Sequence, residues 1–182
     1  MKQIVIARYD ESVSHWIGSV PECFRIMMVN NGGDVVPERG GIMTGRNFGR
    51  EAECYLRFII KFFDHIDDDI IFCQADPFDH DPNFIANIND DAVRYYGSVA
   101  ACDSSGLPHM GDAYLDEHCR VFCMARQAEY RFVAGAQYRV TESQIHFHRP
   151  VFYKMLLKFT QFNSRAPYIL ERLWPLIWRI EL

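Results

Sequence analysis

The segment at residues 45–51, Gly-Arg-Asn-Phe-Gly-Arg-Glu, combines residue types that suit the binding of an anion such as phosphate. It leads directly into an amphipathic helical pattern, so its backbone amides are expected at the positive end of a helix dipole. Asn47 can cap that helix, and Gly49 allows a close approach of the backbone. Arg50 can donate two parallel hydrogen bonds to phosphate oxygens, with Glu51 beside it. The alternative is an ordinary capped helix start that carries a surface Arg-Glu pair.

A second group of polar side chains follows a run of apolar residues at 70–73. Closely spaced carboxylates after a buried strand suit a hard divalent cation, which neutralises phosphate charge. The histidine in this group can act as a metal ligand or as a base. The alternative is a simple Asp-Pro turn, because both residue types favour turns. The group consists of Gln74, Asp76, Asp79, His80 and Asp81.

Two smaller groups near the chain ends are further candidates. Glu171 is expected one turn into a C-terminal helix, next to Arg172, where it can act as a general base if it faces a cleft. The alternative for this pair is an exposed ion pair. Arg8, Asp10 and Glu11 follow the first predicted strand, and Asp10 can accept a hydrogen bond from a ribose hydroxyl or a base. The alternative there is a solvated loop.

The elements that must position these residues alternate between strands and helices. The clearest is the helix predicted at 50–66, whose apolar residues recur at three- and four-residue spacing. Thr141 and Gln144 form a capping box, which predicts a helix from there through Phe159. This alternation predicts one α/β domain over residues 1–182, with a mostly parallel sheet flanked by helices. The predicted strands are 3–8, 24–29, 70–74, 96–101 and 132–140, and the other predicted helices are 14–20, 83–93, 111–126 and a last one from Pro167.

The predicted sheet places several of these groups at one edge. In doubly wound α/β sheets, ligands bind beyond the carboxyl ends of the strands. Arg8 and Asp10 follow the first predicted strand, and the group at 74–80 follows the third. We therefore expect both groups at the same edge, with the segment at 45–51 as another wall of a ligand pocket in this Rossmann-like sheet.

The composition argues against several classes of protein. Nearly half of the 182 residues are apolar and 14% are aromatic, so the chain can form a sizeable core. A net charge of −5 and the lack of a basic stripe with interleaved aromatic residues argue against nucleic acid binding. The apolar runs are too short for a transmembrane segment. Six cysteines without paired zinc-type spacing predict a reduced, cytoplasmic protein with buried thiols.

Five motifs occur in order along almost the whole chain, and together they resemble a family of uncharacterised proteins found in fungi, bacteria and viruses. The motifs begin at Ala7, Asn47, Phe72, Gly135 and Leu170, and they read Ala-Arg-Tyr-Asp-Glu, Asn-Phe-Gly-Arg-Glu-Ala, Phe-x-Gln-x-x-Pro-Phe-Asp-His, Gly-Ala-Gln-Tyr and Leu-Glu-Arg-Leu-Trp. The second and the last motif also resemble, more distantly, segments of capsular and rhamnan polysaccharide glycosyltransferases. Those enzymes belong to the GT-A class, an α/β nucleotide-sugar-binding fold that generally uses Mn²⁺ or Mg²⁺ held by an Asp-x-Asp motif.

The distant resemblance implies a glycosyltransferase with a nucleotide-sugar donor and a glycan or other acceptor. It implies nucleotide binding by Arg8, Asp10, Asn47, Gly49, Arg50 and Glu51. It implies Mn²⁺ or Mg²⁺ at Asp76 and Asp79, catalysis by Glu171, His80 and Asp76, and substrate contacts from Gln74, Gly135, Gln137 and Arg172.

Two alternatives remain open at this point. The first is a non-catalytic nucleotide- or carbohydrate-binding module of the same fold, which the shortness of the chain favours. The second is a metal-dependent hydrolase that uses Asp76, Asp79, His80 and Asp81.

Overall fold

The positions of the elements come from a computed structural model, which describes residues 2–33, 40–45, 48–66 and 68–182. The strands of the described residues are β1 (Lys2–Arg8), β2 (Phe24–Asn30), β3 (Gly41–Thr44), β4 (Ile70–Gln74), β5 (Val99–Cys102), β6 (Tyr130–Val133) and β7 (Tyr138–Val140). The helices are α1 (Ser14–Ile17), α2 (Arg50–Phe62), α3 (Phe84–Asn87), α4 (Leu115–Val121), α5 (Glu142–His146), α6 (Pro150–Phe162) and α7 (Ala166–Trp178). Short 3₁₀ turns occupy Phe63–His65 and Pro77–Asp79.

The main sheet has five strands in the order β3-β2-β1-β4-β7. Its first four strands are parallel and β7 runs antiparallel to β4, which confirms the predicted mostly parallel α/β architecture. The chain moves from β1 through β2 to β3 on one side and then returns to place β4 on the other side of β1. This reversal of strand order leaves a crevice at the carboxyl ends of β1 and β4. A separate two-stranded sheet pairs β5 with β6.

Both faces of the main sheet are buried. On β1, Ile4 and Ile6 face a core cluster that includes Trp16 of α1 and Phe84 of α3. The alternate residues, Val5 and Ala7, face a second and larger cluster built with α2, α6 and α7. Because both faces are covered, β1 is apolar at consecutive positions, as is usual for a parallel strand.

Helix α2 links the sheet to the outer helices. It packs on β1 and β2 on one side and contacts α6 and α7 on the other. Its buried residues include Ala52, Tyr55, Leu56 and Ile59, at the predicted three- and four-residue spacing. The helix ends at Phe62, and the rest of the predicted element continues as the 3₁₀ turn.

The segment predicted as one strand at 132–140 is instead two strands in different sheets. Gly135 and Ala136 have φ angles of +84° and +53°, so the chain turns sharply between β6 and β7. Glycine accepts this conformation readily, whereas alanine adopts it only where the surroundings impose it.

The helix predicted from the capping box through Phe159 is also interrupted. The capping box of Thr141 and Gln144 is present and begins α5. Pro150 then occupies the first turn of α6, and the preceding Arg149 is extended at ψ 157°, as a residue before proline prefers. A break therefore separates α5 from α6.

Smaller differences between the predicted and the observed elements follow from backbone conformations that the residue types do not predict. The predicted helix at 111–126 is confined to α4, because Asp112 and Tyr114 adopt left-handed conformations just before it. The segment between β2 and α2, where no element was predicted, contains the edge strand β3. None of the described helices is long and apolar enough to cross a membrane.

The cysteine prediction holds for most of the thiols. All six cysteines are free, and Cys54, Cys73, Cys102 and Cys119 are buried. The remaining two are exposed.

Candidate functional site

A cleft of about 230 Å³ opens beyond the carboxyl ends of β1 and β4, at the reversal of strand order. The start of α2 forms its opposite wall. Six of the predicted site residues line the cleft together: Arg8, Arg50, Glu51, Gln74, Asp76 and Asp79. The edge of the sheet predicted from sequence therefore does hold a concave site with charges of both signs.

Arg8 forms the buried floor of the cleft. Its guanidinium donates to the carbonyl oxygens of Tyr9 at 2.8 Å and Glu11 at 2.7 Å, and to Asn30 Oδ1 at 2.6 Å. These bonds hold the ends of β1 and β2 together. Among the described residues its hydrogen-bond acceptors are all neutral, so the positive charge is not cancelled by these bonds.

The first amides of the α2 region are already bound by the protein itself. The N–H groups of Phe48 and Gly49 donate to Glu53 Oε2 at 2.7 and 3.0 Å. The other oxygen of this fully buried carboxylate accepts from Arg57 at 2.7 Å. The expectation that the Gly49 amide binds phosphate is therefore corrected, because this amide already donates to Glu53.

Gly49 instead serves the packing of two helices. A Cβ atom at this position would lie 2.7 Å from the Cβ of Thr160 on α6. Such a distance is too short for two carbon atoms, so only glycine allows α2 and α6 to approach this closely. Asn47, the predicted cap, lies outside the described residues, and the cap position of α2 is Gly49.

The Arg50 side chain is half-exposed at the mouth of the cleft. Its guanidinium donates to the Tyr168 hydroxyl at 3.0 Å and lies 5.2 Å from the centroid of that ring. Its Nε is 3.6 Å from Glu51 Oε2, and the Glu51 charge raises the pKa of Arg50 above its usual value. The backbone of Arg50 is left-handed, with φ +51°. Arg50 is thus a permanent cation that a ligand in the cleft can reach.

Glu51 places a largely buried carboxyl in the same wall. Its side chain is 11% exposed, and burial raises its pKa from 4.5 to about 7. The Arg50 charge opposes this rise, and the nearby Glu171 carboxylate adds to it. A group with a pKa near neutrality can both accept and release a proton at physiological pH, which is the property of a general acid or base.

Asp76 and Asp79 lie on the β4 side of the cleft. Asp76 Oδ1 accepts from the Phe78 N–H at 3.2 Å and thereby caps the 3₁₀ turn, while Asp79 is exposed. No group of three or more potential protein ligands for a metal occurs among the described residues. Both carboxylates line the cleft, and a Mg²⁺ ion commonly uses only one or two carboxylates together with substrate phosphates.

The motifs that contain His80, Gly135 and Glu171 meet beside the cleft. The Gly135 N–H donates to Glu171 Oε1 at 2.9 Å, and Glu171 Oε2 accepts from Arg172 at 3.2 Å. A Cβ on Gly135 would lie 2.2 Å from Cδ2 of His80, so the imidazole packs directly on the glycine backbone. Three distant segments are thus locked together next to Glu51, although these three residues do not line the cleft itself.

Gln137 is not placed to contact a substrate. Its side chain is fully buried, donates to the carbonyl oxygens of Pro77 and Tyr96 at 3.2 and 2.9 Å, and accepts from the Gln74 N–H at 3.3 Å. The expected substrate contact is therefore corrected to a positioning role, because this amide holds the turn that carries Asp76 against β4.

Arg172 also lies away from the cleft. It is 4% exposed, donates to the Tyr168 carbonyl at 2.6 Å, and lies over the Phe132 ring at 4.6 Å. Its expected role in substrate binding is therefore corrected to one in the packing of α7 against β6.

Two predicted acidic residues lie outside the lining of the cleft. Asp10 is exposed, and its Oδ1 lies 3.5 Å from the Gly33 N–H, so it belongs to the surface loop after β1. Asp81 is buried and accepts from the Asn83 N–H and from the Asn87 amide. The four-residue metal site of a hydrolase is therefore not brought together.

Sequence reasoning missed one residue that lines the cleft and another that contacts Arg50 in its wall. Asn31 lines it just after β2 and donates to Cys54 Sγ at 3.0 Å. The rule that ligands bind at carboxyl ends of strands points to Asn31 as well as to Arg8. Tyr168 comes from a distant helix, and no spacing in the sequence indicates its contact with Arg50.

Residues 4–101 match the family described as Protein of unknown function (DUF3431). No curated protein and no solved structure matched the chain. The matched region contains Arg8, Arg50 and the Gln74–His80 segment, and it stops before Gly135 and Glu171. The resemblance to an uncharacterised family is thereby confirmed, and because the match covers more than half of the chain, this protein belongs to the DUF3431 family.

Proposed function

We propose that this protein is a GT-A-like glycosyltransferase that binds a nucleotide sugar in the cleft. The observation that carries the proposal is the meeting of two arginines with four carboxyl groups, among them Asp76 and Asp79, where the strand order reverses. Nucleotides bind at this position in doubly wound sheets, and their phosphates require cations.

Side chains rather than backbone amides would bind the diphosphate. Arg50 is exposed at the mouth of the cleft and presents a planar guanidinium, which matches phosphate oxygens. Arg8 adds positive charge from the floor, while its bonds to backbone carbonyls keep it in place. This arrangement supplies the anion binding that the occupied Gly49 amide does not.

Asp76 and Asp79 are the residues that would hold Mn²⁺ or Mg²⁺ in the cleft. The ion would supply positive charge against the leaving diphosphate. Asp79 is exposed, whereas Asp76 is fixed by its bond to the Phe78 N–H. The two aspartates would therefore play unequal parts.

Glu51 is the residue best placed to move a proton. In the transfer reaction, the acceptor hydroxyl gives its proton to the Glu51 carboxylate while its oxygen attacks the anomeric carbon. The bond to the nucleoside diphosphate then breaks, and the diphosphate leaves with the electron pair. Glu171, the base expected from sequence, has its oxygens bound by Gly135 and Arg172 and would act as a positioning residue.

Binding is tested by thermal unfolding with a panel of nucleoside diphosphates, each with and without Mn²⁺. A ligand at about 100 times its Kd adds about 2.7 kcal/mol of stability and raises the Tm. The Arg50→Gln variant is expected to bind at least about 10-fold more weakly, because a charged hydrogen bond is lost. The matched control is Arg120→Gln on α4, an exposed arginine outside the cleft.

The proposal would be overturned if no nucleotide in the panel raised the Tm. Release of nucleoside diphosphate from a sugar nucleotide then separates the two remaining possibilities. Binding with turnover that Glu51→Gln abolishes supports the transferase. Binding without turnover under all acceptors would assign the cleft to a non-catalytic module instead.

A further inference from the structure

Helix α6 presents an apolar stripe to the outside. At 100° per residue, Val151, Met155 and Phe162 lie within about 40° of one another around the helix axis. Their exposures are 68%, 38% and 87%. The opposite side of the helix, with Tyr153 and Leu156, is buried in the core. The outward stripe is therefore additional to the apolar face that the fold itself requires.

Two exposed lysines run along one side of this stripe. Lys154 and Lys158 lie within about 60° of Val151 on the same helical projection. Together with Val151, Met155 and Phe162 they form a surface that we call the α6 face. Neither lysine forms an ion pair within the described parts of the chain.

The charge of this region is opposite to that of the rest of the molecule. Residues 143–170 contain no Asp or Glu and four Lys or Arg, whereas the whole chain has a net charge of −5. The other residues therefore carry a net charge of −9, since four positive charges lie in this segment. Of these four cations, Arg165 lies 3.6 Å from Asp112, whereas Arg149, Lys154 and Lys158 form no ion pair among the described residues.

We propose that the α6 face docks on the surface of an anionic lipid bilayer. Apolar side chains flanked by lysines on a surface helix are suited to insertion at the boundary between headgroups and acyl chains. Anionic headgroups attract each nearby lysine, while the negative remainder of the protein is repelled. A two-fold dimer through this face is disfavoured, because it would bring the lysines of the two copies together.

The proposal is tested by vesicle flotation with the full-length protein. We expect flotation with phosphatidylcholine vesicles that contain about 30% phosphatidylserine, and little with phosphatidylcholine alone. Raising the salt from about 50 mM to about 500 mM should weaken the binding, because screening shortens the reach of the charges.

Two double variants separate the contributions of charge and apolar contact. Lys154→Gln with Lys158→Gln is expected to weaken binding to the mixed vesicles about 30-fold. Its control is Arg120→Gln with Arg126→Gln, which removes two exposed charges outside the α6 face. Val151→Ser with Phe162→Ser is expected to weaken binding to the mixed vesicles at least about 10-fold. Its control is Ile42→Thr, an exposed position on the edge strand β3.

Three results would overturn the proposal. They are no flotation with the mixed vesicles at low salt, equal flotation of the face variants and their controls, or a wild-type dimer in sedimentation that the face variants abolish. The last result would assign the face to a second copy of the chain. Each of these outcomes is independent of nucleotide binding in the cleft.

Discussion

At the scale of single residues, Glu51 and Glu53 show how position decides what a carboxylate does. They stand two residues apart at the start of α2, and both are largely removed from solvent. Glu53 is satisfied by two amides and by Arg57, so it acts as an internal cap. Glu51 is largely buried without a comparable set of hydrogen bonds to its carboxylate, and burial raises its pKa to about 7.

Glu51 should make the stability of the protein depend on pH. Below pH 4.5 the group is protonated in both the folded and the unfolded state. As pH rises toward about 7, the unfolded state releases the proton and the folded state keeps it. The free energy of unfolding therefore falls by up to about 3 kcal/mol. Glu51→Gln should remove this loss and be more stable than wild type at pH 8.

Urea unfolding of wild type and Glu51→Gln at pH 5 and pH 8 measures this difference. Glu22→Gln, at an exposed loop position, serves as the control and should follow wild type at both values. If wild type and Glu51→Gln change in parallel between the two pH values, the carboxyl does not carry the proton that its burial implies.

Glu53→Ala should lower the free energy of unfolding by about 3 kcal/mol. The substitution leaves two amides and the Arg57 guanidinium without their acceptor in a buried region. Urea unfolding measures the change. A midpoint equal to that of wild type would mean that water replaces the carboxylate at no cost.

At the scale of elements, the contact between α2 and α6 depends on one missing side chain. Gly49→Ala should destabilise the protein by about 1–3 kcal/mol, because the added Cβ overlaps Thr160. The φ of Gly49 is −128°, which alanine accepts, so the effect comes from packing rather than from the backbone.

Gly18→Ala is the matched control for this packing effect. Gly18 has φ −67°, and a Cβ atom added there would meet no neighbouring atom within 4 Å, so alanine should be neutral or slightly stabilising. Thermal unfolding compares the two variants. Equal melting temperatures for both variants would show that α2 and α6 can move apart without a loss of stability.

The elements differ in how well the sequence predicts them. β4 was predicted with its observed bounds, and the capping box of α5 was found, because both depend on neighbouring residues. The turn between β6 and β7 was missed, since the left-handed conformation of Ala136 has no local signature. It results from contacts with residues far away in the chain.

The residues of the candidate site also divide into those that the local sequence predicts and those that depend on distant contacts. The carboxyl-end rule brought Arg8 and Asp76 into one cleft from sequence alone. Glu53 is a charged residue of the predicted amphipathic helix, yet its side chain is fully buried and accepts from the Phe48 and Gly49 amides. Helical periodicity describes one element and does not show which other elements will cover it.

At the scale of the whole molecule, the region that matches the family is not a complete folding unit. It ends at residue 101 and lacks β7, α6 and α7, which cover the edge of β4 and the outer side of α2. A fragment of residues 1–101 should therefore fail to unfold cooperatively, because much of its larger core cluster is missing. Circular dichroism during heating tests this, and a sharp transition in the fragment would contradict it.

The left-handed backbone of Arg50 sets the stability of the fold against the anion binding that we propose for this side chain. A residue with a Cβ atom loses roughly 1–2 kcal/mol in this conformation; glycine avoids this cost, and the short polar side chain of asparagine offsets part of it by local hydrogen bonding. Random variants selected for heat resistance alone should therefore acquire glycine or asparagine at position 50. Selection for retention of a nucleotide should instead keep arginine, so the residue recovered at this position reports which pressure has acted on the protein.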